Sequence, residues 1–183
     1  MPNYCDNNLT IMADSQTLAS IMTAITKVPD IEKNSPDYEM LDAYIFENLL
    51  PRPADIGEDW YQWSVDNWGT KWADCDTQIL SSTDEIVINF STAWSPPLVG
   101  ISKISEMYPD ATFLMNWDES GMGFMGAFAV SNGNVIALEE IEGEGYPSLD
   151  SDDYETYSDL VGELRSNLTR LVRHAAKGVS SGI

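Results

Sequence analysis

The residues best placed to do chemistry in this sequence are carboxylates, and many of them lie in one tract, residues 139–163. The acidic residues of this tract are Glu139, Glu140, Glu142, Glu144, Asp150, Asp152, Asp153, Glu155, Asp159 and Glu163. No Lys or Arg lies between Ile104 and Leu164. On a helix, side chains three or four residues apart stand about 5–6 Å from each other. A row of that kind resembles the charge series of DNA, which carries one negative charge per about 1.7 Å of axis.

We therefore expect the acidic tract to bind a basic partner by mimicking a nucleic acid. The alternative is a solvated surface on an acidic protein. The chain has 30 Asp and Glu against 9 Lys and Arg, a net charge of -21. Nucleic acids and anionic membranes are repelled by such a charge, because their binding depends on Lys and Arg, whereas a basic protein is attracted over a long range. The sequence thus predicts no direct nucleic-acid or membrane partner, and a basic host nucleic-acid-binding protein as the target.

Catalytic residue sets are scarce. The single histidine, His174, lies in a basic stretch far from the other motifs, which argues against a Ser-His-Asp or Cys-His arrangement. No phosphate-binding G-x-x-x-x-G-K-[ST] loop is present. Asp118 and Glu119 could act as an acid and base pair only if their environments differed strongly. We expect no enzyme, no catalytic residue and no cofactor.

Metal sites are not expected either. The segment Asp150 to Glu155, DSDDYE, resembles a calcium loop but lacks the glycine at the sixth position, and Val161 stands where the bidentate glutamate belongs. An acid-rich helix start explains it better. The two cysteines, Cys5 and Cys75, have no Cys-x-x-Cys spacing for zinc, and free thiols are expected. Whether the two are close in space is left open.

An aromatic block, DWYQWSVDNWGTKW, holds four of the six tryptophans within residues 59–72. A cation such as Lys71 over an exposed indole face contributes about 0.5–1 kcal/mol. Two interpretations remain open for this block. The favoured one is a core in which tryptophans pack a helix onto a sheet. The other is a pocket for a small ligand or peptide, formed by Lys71, Trp72, Trp94 and Glu119.

Hydrophobic spacing and breakers predict the elements. Strands are expected at 8–12, 84–91, 111–117, 124–130 and 135–138, the last two joined by an Asn132-Gly133 hairpin turn. Helices are expected at 15–27 with Ser15 as N-cap, at 60–69, and between Pro97 and Pro109. Residues 30–59 look like an insertion with a helical piece at 38–50.

A long final helix is predicted from about residue 152 to 177, acidic in its first half and basic in its second, as the helix dipole favours. Its apolar stripe is Tyr157, Leu160, Leu164, Leu168 and Leu171. We expect this stripe to pack on the chain's own sheet, although packing on a second copy would give a homodimer. Both a monomer and a homodimer are left open.

Four motifs carry a family resemblance: MPNYCDNNLT at the start, NWGTKW, TAWSPP and DESGMGFMG. With these motifs, residues 1–138 resemble small phage and plasmid proteins that have a YubB-type ferredoxin-like domain. The resemblance implies an α+β fold, a ferredoxin-like antiparallel sheet with helices on one face, and a mobile-element origin. The chain departs from the family at Tyr4, where Trp is common, and near Met125, where a basic residue is common.

The predicted organisation is a ferredoxin-like domain at 1–140, with the insertion at about 30–59, followed by an acidic linker and an amphipathic helix at 141–183. No apolar run approaches the ~20 residues of a membrane span, and no secretory signal is evident, so we expect the host cytoplasm. The predicted function is an acidic inhibitor of a host defence protein, such as a CRISPR effector or restriction complex. The alternative is a ferredoxin-like module that binds a small ligand or peptide.

Overall fold

A computed structural model describes residues 3–29, 41–81, 83–147 and 154–180, and in the last of these ranges side chains are described for 158–177. Six antiparallel strands form one sheet in the order β2-β3-β1-β4-β5-β6. The strands are β1 (Tyr4–Met12), β2 (Cys75–Ser81), β3 (Ile86–Ala93), β4 (Thr112–Glu119), β5 (Phe124–Ser131) and β6 (Asn134–Glu142). The α-helices of the described ranges are α1 (Ser15–Ile25), α2 (Ile45–Leu49), α3 (Trp60–Trp68), α4 (Leu98–Met107) and α5 (Tyr154–Ser180). The predicted α+β class is confirmed.

The two faces of the sheet have different coverings, because successive residues of a strand point to opposite sides. On β1, Cys5, Leu9 and Ile11 point into the larger core, which the first four helices cover. We call this side the helix-rich face. The other side, the α5 face, carries a smaller core under α5 that includes Leu114 and Met125. Helices α1 to α4 thus share one face, as predicted, and α5 packs on the other.

The N-cap of helix α1 is Asp14, the residue before the helix begins at Ser15. The carboxylate of Asp14 accepts hydrogen bonds from the backbone N–H groups of Gln16 at 2.8 Å and Thr17 at 2.9 Å. These bonds hold the pKa of Asp14 below its ordinary value. The predicted cap, Ser15, is wrong because its neighbour reaches the free N–H groups first. The helix ends at Ile25 and not at residue 27.

Helix α5 confirms that the C-terminal helix packs on its own sheet. Its buried side chains are Leu168, Val172 and Ala176. The predicted stripe was partly wrong, because Leu160 and Leu171 are 47% and 53% exposed. The buried positions recur every four residues from Leu168, which turns the contacting side away from Leu171. The side chain of Tyr157 lies outside the described residues.

Three strands differ most from their predictions, and β3 and β4 each end two residues later than predicted. β1 starts at Tyr4, four residues early, and β2 was not predicted at all. β6 continues to Glu142, so three acids of the tract are part of the sheet. The helical piece expected at 38–50 is α2, which is shorter, and residues 30–40 of the expected insertion lie outside the described residues.

Candidate functional site

The described carboxylates of the acidic tract lie at the surface. They are Glu139, Glu140, Glu142, Glu144, Asp159 and Glu163, and all six are exposed. Asp150, Asp152 and Asp153 lie outside the described residues, as does the side chain of Glu155. The first four residues of the calcium-like segment DSDDYE, 150–153, fall in the same gap. The tract therefore combines a sheet edge with the first half of α5, and is not one helical row.

Backbone geometry sets the spacing of these charges. Glu140 and Glu142 pair with Gly126 and Phe124, so both point to the helix-rich face, about 7 Å apart at a strand rise of 3.2–3.4 Å per residue. Glu139 points to the α5 face. Asp159 and Glu163 are four residues apart on α5, which brings them within about 6 Å.

The tract's charge is not neutralised by the described residues. The ion pairs among those residues join Arg52 to Glu47, Arg165 to Asp118 and Arg173 to Glu85. None of the six exposed tract carboxylates takes part in one. The basic half of α5 thus neutralises acids elsewhere on the sheet, and the tract remains a negative surface.

Lys71 lies at the centre of an aromatic cluster. Its Nζ is 4.7 Å from the ring centroid of Trp72 and 5.0 Å from that of Trp94. The rings of Trp60 and Tyr61 are each 5.9 Å away. Trp72 and Trp94 stack with centroids 6.4 Å apart at 27°. We call these four rings and Lys71 the Lys71 cluster.

Trp94 is the strained member of the Lys71 cluster. It is 43% exposed and has a φ of 68°, in the left-handed region that non-glycine residues rarely adopt. Its backbone N–H donates to the carbonyl of Asn3 at 3.0 Å, which helps to hold the turn after β3. Strain of this kind is found at functional sites more often than elsewhere.

The remaining tryptophans follow the core interpretation. Trp68 and Trp117 are buried, and Trp63 packs edge-on against Trp68 with centroids 5.5 Å apart. The indole N–H of Trp68 donates to the carbonyl of Leu50 at 2.9 Å. The guanidinium of Arg52 covers the ring of Trp68 at 5.0 Å. The core interpretation therefore applies to Trp63, Trp68 and Trp117, and a ligand pocket at the Lys71 cluster stays a prediction.

Glu119 does not interact with Lys71. It is only 1% exposed at the end of β4, where its Oε2 accepts a hydrogen bond from the backbone N–H of Met122. Its Oε1 is buried and has no hydrogen-bond partner. No ion pair joins Glu119 to Lys71 within the part of the chain that the structure describes.

Asp118 points to the other face of the sheet. It accepts a hydrogen bond from the Tyr146 hydroxyl at 2.8 Å and pairs with the Arg165 guanidinium, Nη2 to Oδ2, at 2.8 Å. Because Asp118 and Glu119 are successive strand residues on opposite faces, they do not form an acid and base pair across a cleft.

The cysteines are separate and free. Cys5 lies on β1 and Cys75 on β2, with β3 between them, so their Cα atoms are about 10 Å apart at the usual strand spacing, beyond disulfide reach. Burial raises the pKa of both thiols, that of Cys75 to about 11, and for Cys5 the nearby Glu119 adds to the effect. Neither thiol is a ready nucleophile at neutral pH.

A polar groove of about 820 Å³ lies between the basic half of α5 and the strands β1, β3 and β4. No prediction from the sequence includes it. Its floor includes Asn8, Asn89 and Asn116, and its wall includes Arg165 and Arg170. The sequence feature that could have indicated the groove is the cluster of basic residues at the end of α5, which the helix dipole alone also explains.

Comparison with known proteins identifies the fold. Residues 67–157 match the family model described as a ferredoxin-like domain in Api92-like protein. This part of the chain is similar to the Api92-like domain. It spans β2 to β6 with α4, whereas the central strand β1 lies outside the match.

The crystal structure of the protein Api92 from Yersinia pseudotuberculosis is also similar, with a TM-score of 0.50 and 9% sequence identity. The likeness covers 81% of this chain and 100% of that chain, and it shows the fold alone. No curated protein matches. The expected phage or plasmid origin, and the YubB-type family name, stay predictions.

No helix of the described residues is long and apolar enough to cross a bilayer. No group of three or more His, Cys, Asp or Glu side chains within the same residues could hold a metal ion.

Proposed function

We propose that this protein is a binding protein, not an enzyme, whose acidic tract occupies the basic nucleic-acid-binding surface of another protein. One observation carries the proposal: six exposed tract carboxylates that form no ion pair within the described residues. Exposed charges that a protein does not neutralise itself are available to steer and orient a partner of opposite charge.

The fixed spacing of these charges supports the mimicry. The strand and the packed helix fix the backbone positions of these side chains without a partner, so the ordering entropy lost on binding is mainly that of the side-chain rotamers. The spacings of about 6–7 Å on β6 and α5 suit a protein groove that is lined with Lys and Arg. A solvated acidic surface with no partner remains the competing explanation.

The target that we propose is a host defence protein that holds nucleic acid in a basic channel, such as a CRISPR effector or a restriction complex. The protein would then act as its acidic inhibitor in the host cytoplasm. This finer assignment rests on the resemblance to phage and plasmid proteins. The charge proposal stands without it.

A charge-reversal experiment tests the proposal. Three proteins are used as bait in nuclease-treated lysate from a host with defence systems. They are the wild type, the double variant Asp159→Lys with Glu163→Lys, and the double variant Asp55→Lys with Glu58→Lys. The second pair is the matched control, because its acids are also exposed but lie outside the tract. We expect the tract pair to retain at least ten-fold less of a basic nucleic-acid-binding protein than the control pair.

Salt and DNA provide two further measurements. The captured protein should be released as ionic strength rises, because salt screens exposed charges, and a DNA duplex should compete for it. Equal capture by the two variant pairs, or capture that neither salt nor DNA affects, would contradict mimicry.

The Lys71 cluster supports a second candidate function, a module that binds a small ligand or a peptide. The observation that favours it is the strained, half-exposed Trp94 stacked on Trp72 beside Lys71. Trp94→Leu and Lys71→Met separate the two candidates. Mimicry predicts that both variants capture the partner as the wild type does, whereas loss of capture with an unchanged fold would favour the Lys71 cluster.

A further inference from the structure

The polar groove on the α5 face has a floor of connected amides. Asn8 donates from its side chain to Asn89 Oδ1 at 2.7 Å, and Asn116 donates to Asn8 Oδ1 at 3.4 Å. The three asparagines thus form a row across β3, β1 and β4. Asn89 is exposed and Asn8 is half-buried, so amide groups face the groove. A row of amides recognises hydroxyl, amine and carbonyl groups through hydrogen bonds.

The wall of the groove is basic, although the protein as a whole is strongly acidic. α5 contributes Arg165, Arg170, Arg173 and Lys177, which are four of the nine Lys and Arg residues, together with His174. Among the described residues that line it, Glu85 is the one carboxylate. Because Arg165 is paired with Asp118 and Arg173 with Glu85, the positive charge that the groove offers a ligand rests mainly on Arg170, on a molecule of charge -21.

Two of these guanidinium groups are already held in position. Nη2 of Arg165 is 2.8 Å from Asp118, and Nη2 of Arg173 is 3.1 Å from Glu85. The Nε of each arginine is buried and has no hydrogen-bond partner. Because these Nε atoms are buried, a ligand in the groove would reach the two guanidinium groups through their Nη atoms.

A smaller recess continues the groove beyond Arg165. It has a volume of about 280 Å³, and its lining includes Asp6, Asp76 and Gln78. Carboxylates there accept hydrogen bonds from hydroxyl or amino groups. The combined site therefore has a cationic end at Arg170 and Arg173, an amide floor, and an acceptor end at Asp6 and Asp76.

We propose that this groove binds a small phosphate ester that carries hydroxyl or amino groups, that is, a nucleotide or a sugar phosphate. The phosphate lies at Arg170 and Arg173, because guanidinium groups bind phosphate in a bidentate way. The polar body lies over the asparagine row, with its donors toward Asp6 and Asp76. A volume of about 820 Å³ is within the 300–1,000 Å³ typical of small-ligand sites.

A nucleic-acid strand fits this groove less well. Single strands bind through several aromatic side chains that stack on their bases, and among the described residues that line this groove His174 has the one aromatic ring. The net charge of -21 also repels a polyanion, whereas one phosphate group interacts mainly with the nearest cations. The proposal is independent of the acidic tract, because none of the described residues that line the groove is a tract carboxylate.

Calorimetric titration tests the proposal with five probes: AMP, ribose 5-phosphate, adenosine, inorganic phosphate and a single-stranded oligonucleotide. We expect AMP or ribose 5-phosphate to bind at least ten-fold more tightly than adenosine and than inorganic phosphate. Tighter AMP binding identifies a nucleotide, and equal binding of the two esters identifies the sugar phosphate. No binding of either ester at millimolar concentration, or preferred binding of the oligonucleotide, overturns the proposal.

Three variants locate the binding. Arg170→Gln and Asn89→Leu change exposed groove residues and should each weaken ester binding at least five-fold. Lys27→Gln removes one exposed positive charge outside the groove and is the control. Thermal unfolding of each free variant shows that the fold is intact. Equal affinities for the wild type and both groove variants would place any binding elsewhere and overturn the proposal.

Discussion

Asp74 is a single residue on which the start of α2 depends. Its Oδ1 accepts a hydrogen bond from the N–H of Ile45 at 2.9 Å, and its Oδ2 accepts from Phe46 at 2.7 Å and Glu47 at 3.0 Å. A residue 27 to 29 positions further along the chain thus caps this short helix, in place of the usual neighbouring N-cap. Asp74 has a φ of 57°, which Asp and Asn tolerate better than other side chains do.

Asp74→Asn should therefore destabilise the protein while it keeps the backbone conformation. An amide has one acceptor oxygen where the carboxyl group has two, so at least one buried N–H loses its partner, at a cost of about 1–3 kcal/mol. Urea unfolding at pH 5 measures the loss. Asp76→Asn is the control, because Asp76 is exposed and has a similar φ of 52°. An equal effect of both substitutions would show that the cap is unimportant.

The same carboxyl group gives stability a pH dependence. Burial raises the pKa of Asp74 from 3.8 to about 7, against the lowering effect of its three N–H donors. The folded protein then holds this proton at pH values where the unfolded chain has lost it. The contribution is complete below about pH 4 and is lost as pH rises to about 7. The difference in unfolding free energy between the wild type and Asp74→Asn should shrink from about pH 4 to about pH 7. The difference between the wild type and Asp76→Asn should not change in this window.

At the scale of elements, α5 is the unit that divides the α5 face into a covered part and a groove. Its buried residues Leu168 and Val172 pack over β4 and β5, while Arg165 joins Asp118 at the border. The apolar core holds the helix in place, and the polar side of the same helix forms the groove wall. The groove therefore exists only while α5 stays packed.

Leu168→Ala measures that packing. Leu168 is 6% exposed, and removal of a buried leucine side chain costs about 2–5 kcal/mol. Leu171→Ala makes the same change at a position that is 53% exposed and should cost less than about 0.5 kcal/mol. Chemical unfolding of both variants gives the comparison. A small and equal effect at the two positions would mean that α5 does not pack on the sheet.

The elements that could be predicted are those whose pattern lies within neighbouring residues of the sequence. β4, β5 and α5 follow from local patterns. Gly126, the last residue of the motif DESGMGFMG, is structural, because a Cβ there would collide with the indole of Trp117. β2 was missed because its sequence CDTQILS lacks alternation and its pairing with β3 is interrupted by register shifts.

The candidate sites show the same limit. Lys71, Trp72 and Trp94 lie in two short motifs, so their proximity could be expected. The face to which Glu119 points depends on the register of β4, which the sequence alone does not give. The groove joins Asn8, Asn89 and Arg170, which are far apart in the sequence and meet only in the folded sheet. No local pattern contains that information.

For the whole molecule, the net charge of -21 opposes folding, because compaction brings like charges together. Salt should therefore stabilise the protein. The screening length falls from about 30 Å at 0.01 M to about 10 Å at 0.1 M, so we expect the melting temperature to rise by several degrees over this range of sodium chloride. Asp55→Lys with Glu58→Lys changes the charge from -21 to -17 and should reduce the rise. A melting temperature that is independent of salt would contradict this account.

The acids of β6 have one more consequence, which concerns solubility. β6 is an edge of the sheet, and an exposed edge can pair with the edge of another molecule and start aggregation. β2, the other edge, is irregular, whereas β6 is long and carries Glu139, Glu140 and Glu142. Two copies that met along β6 would bring these like charges together. The carboxylates that we assign to partner binding thus also keep the protein from polymerising with itself.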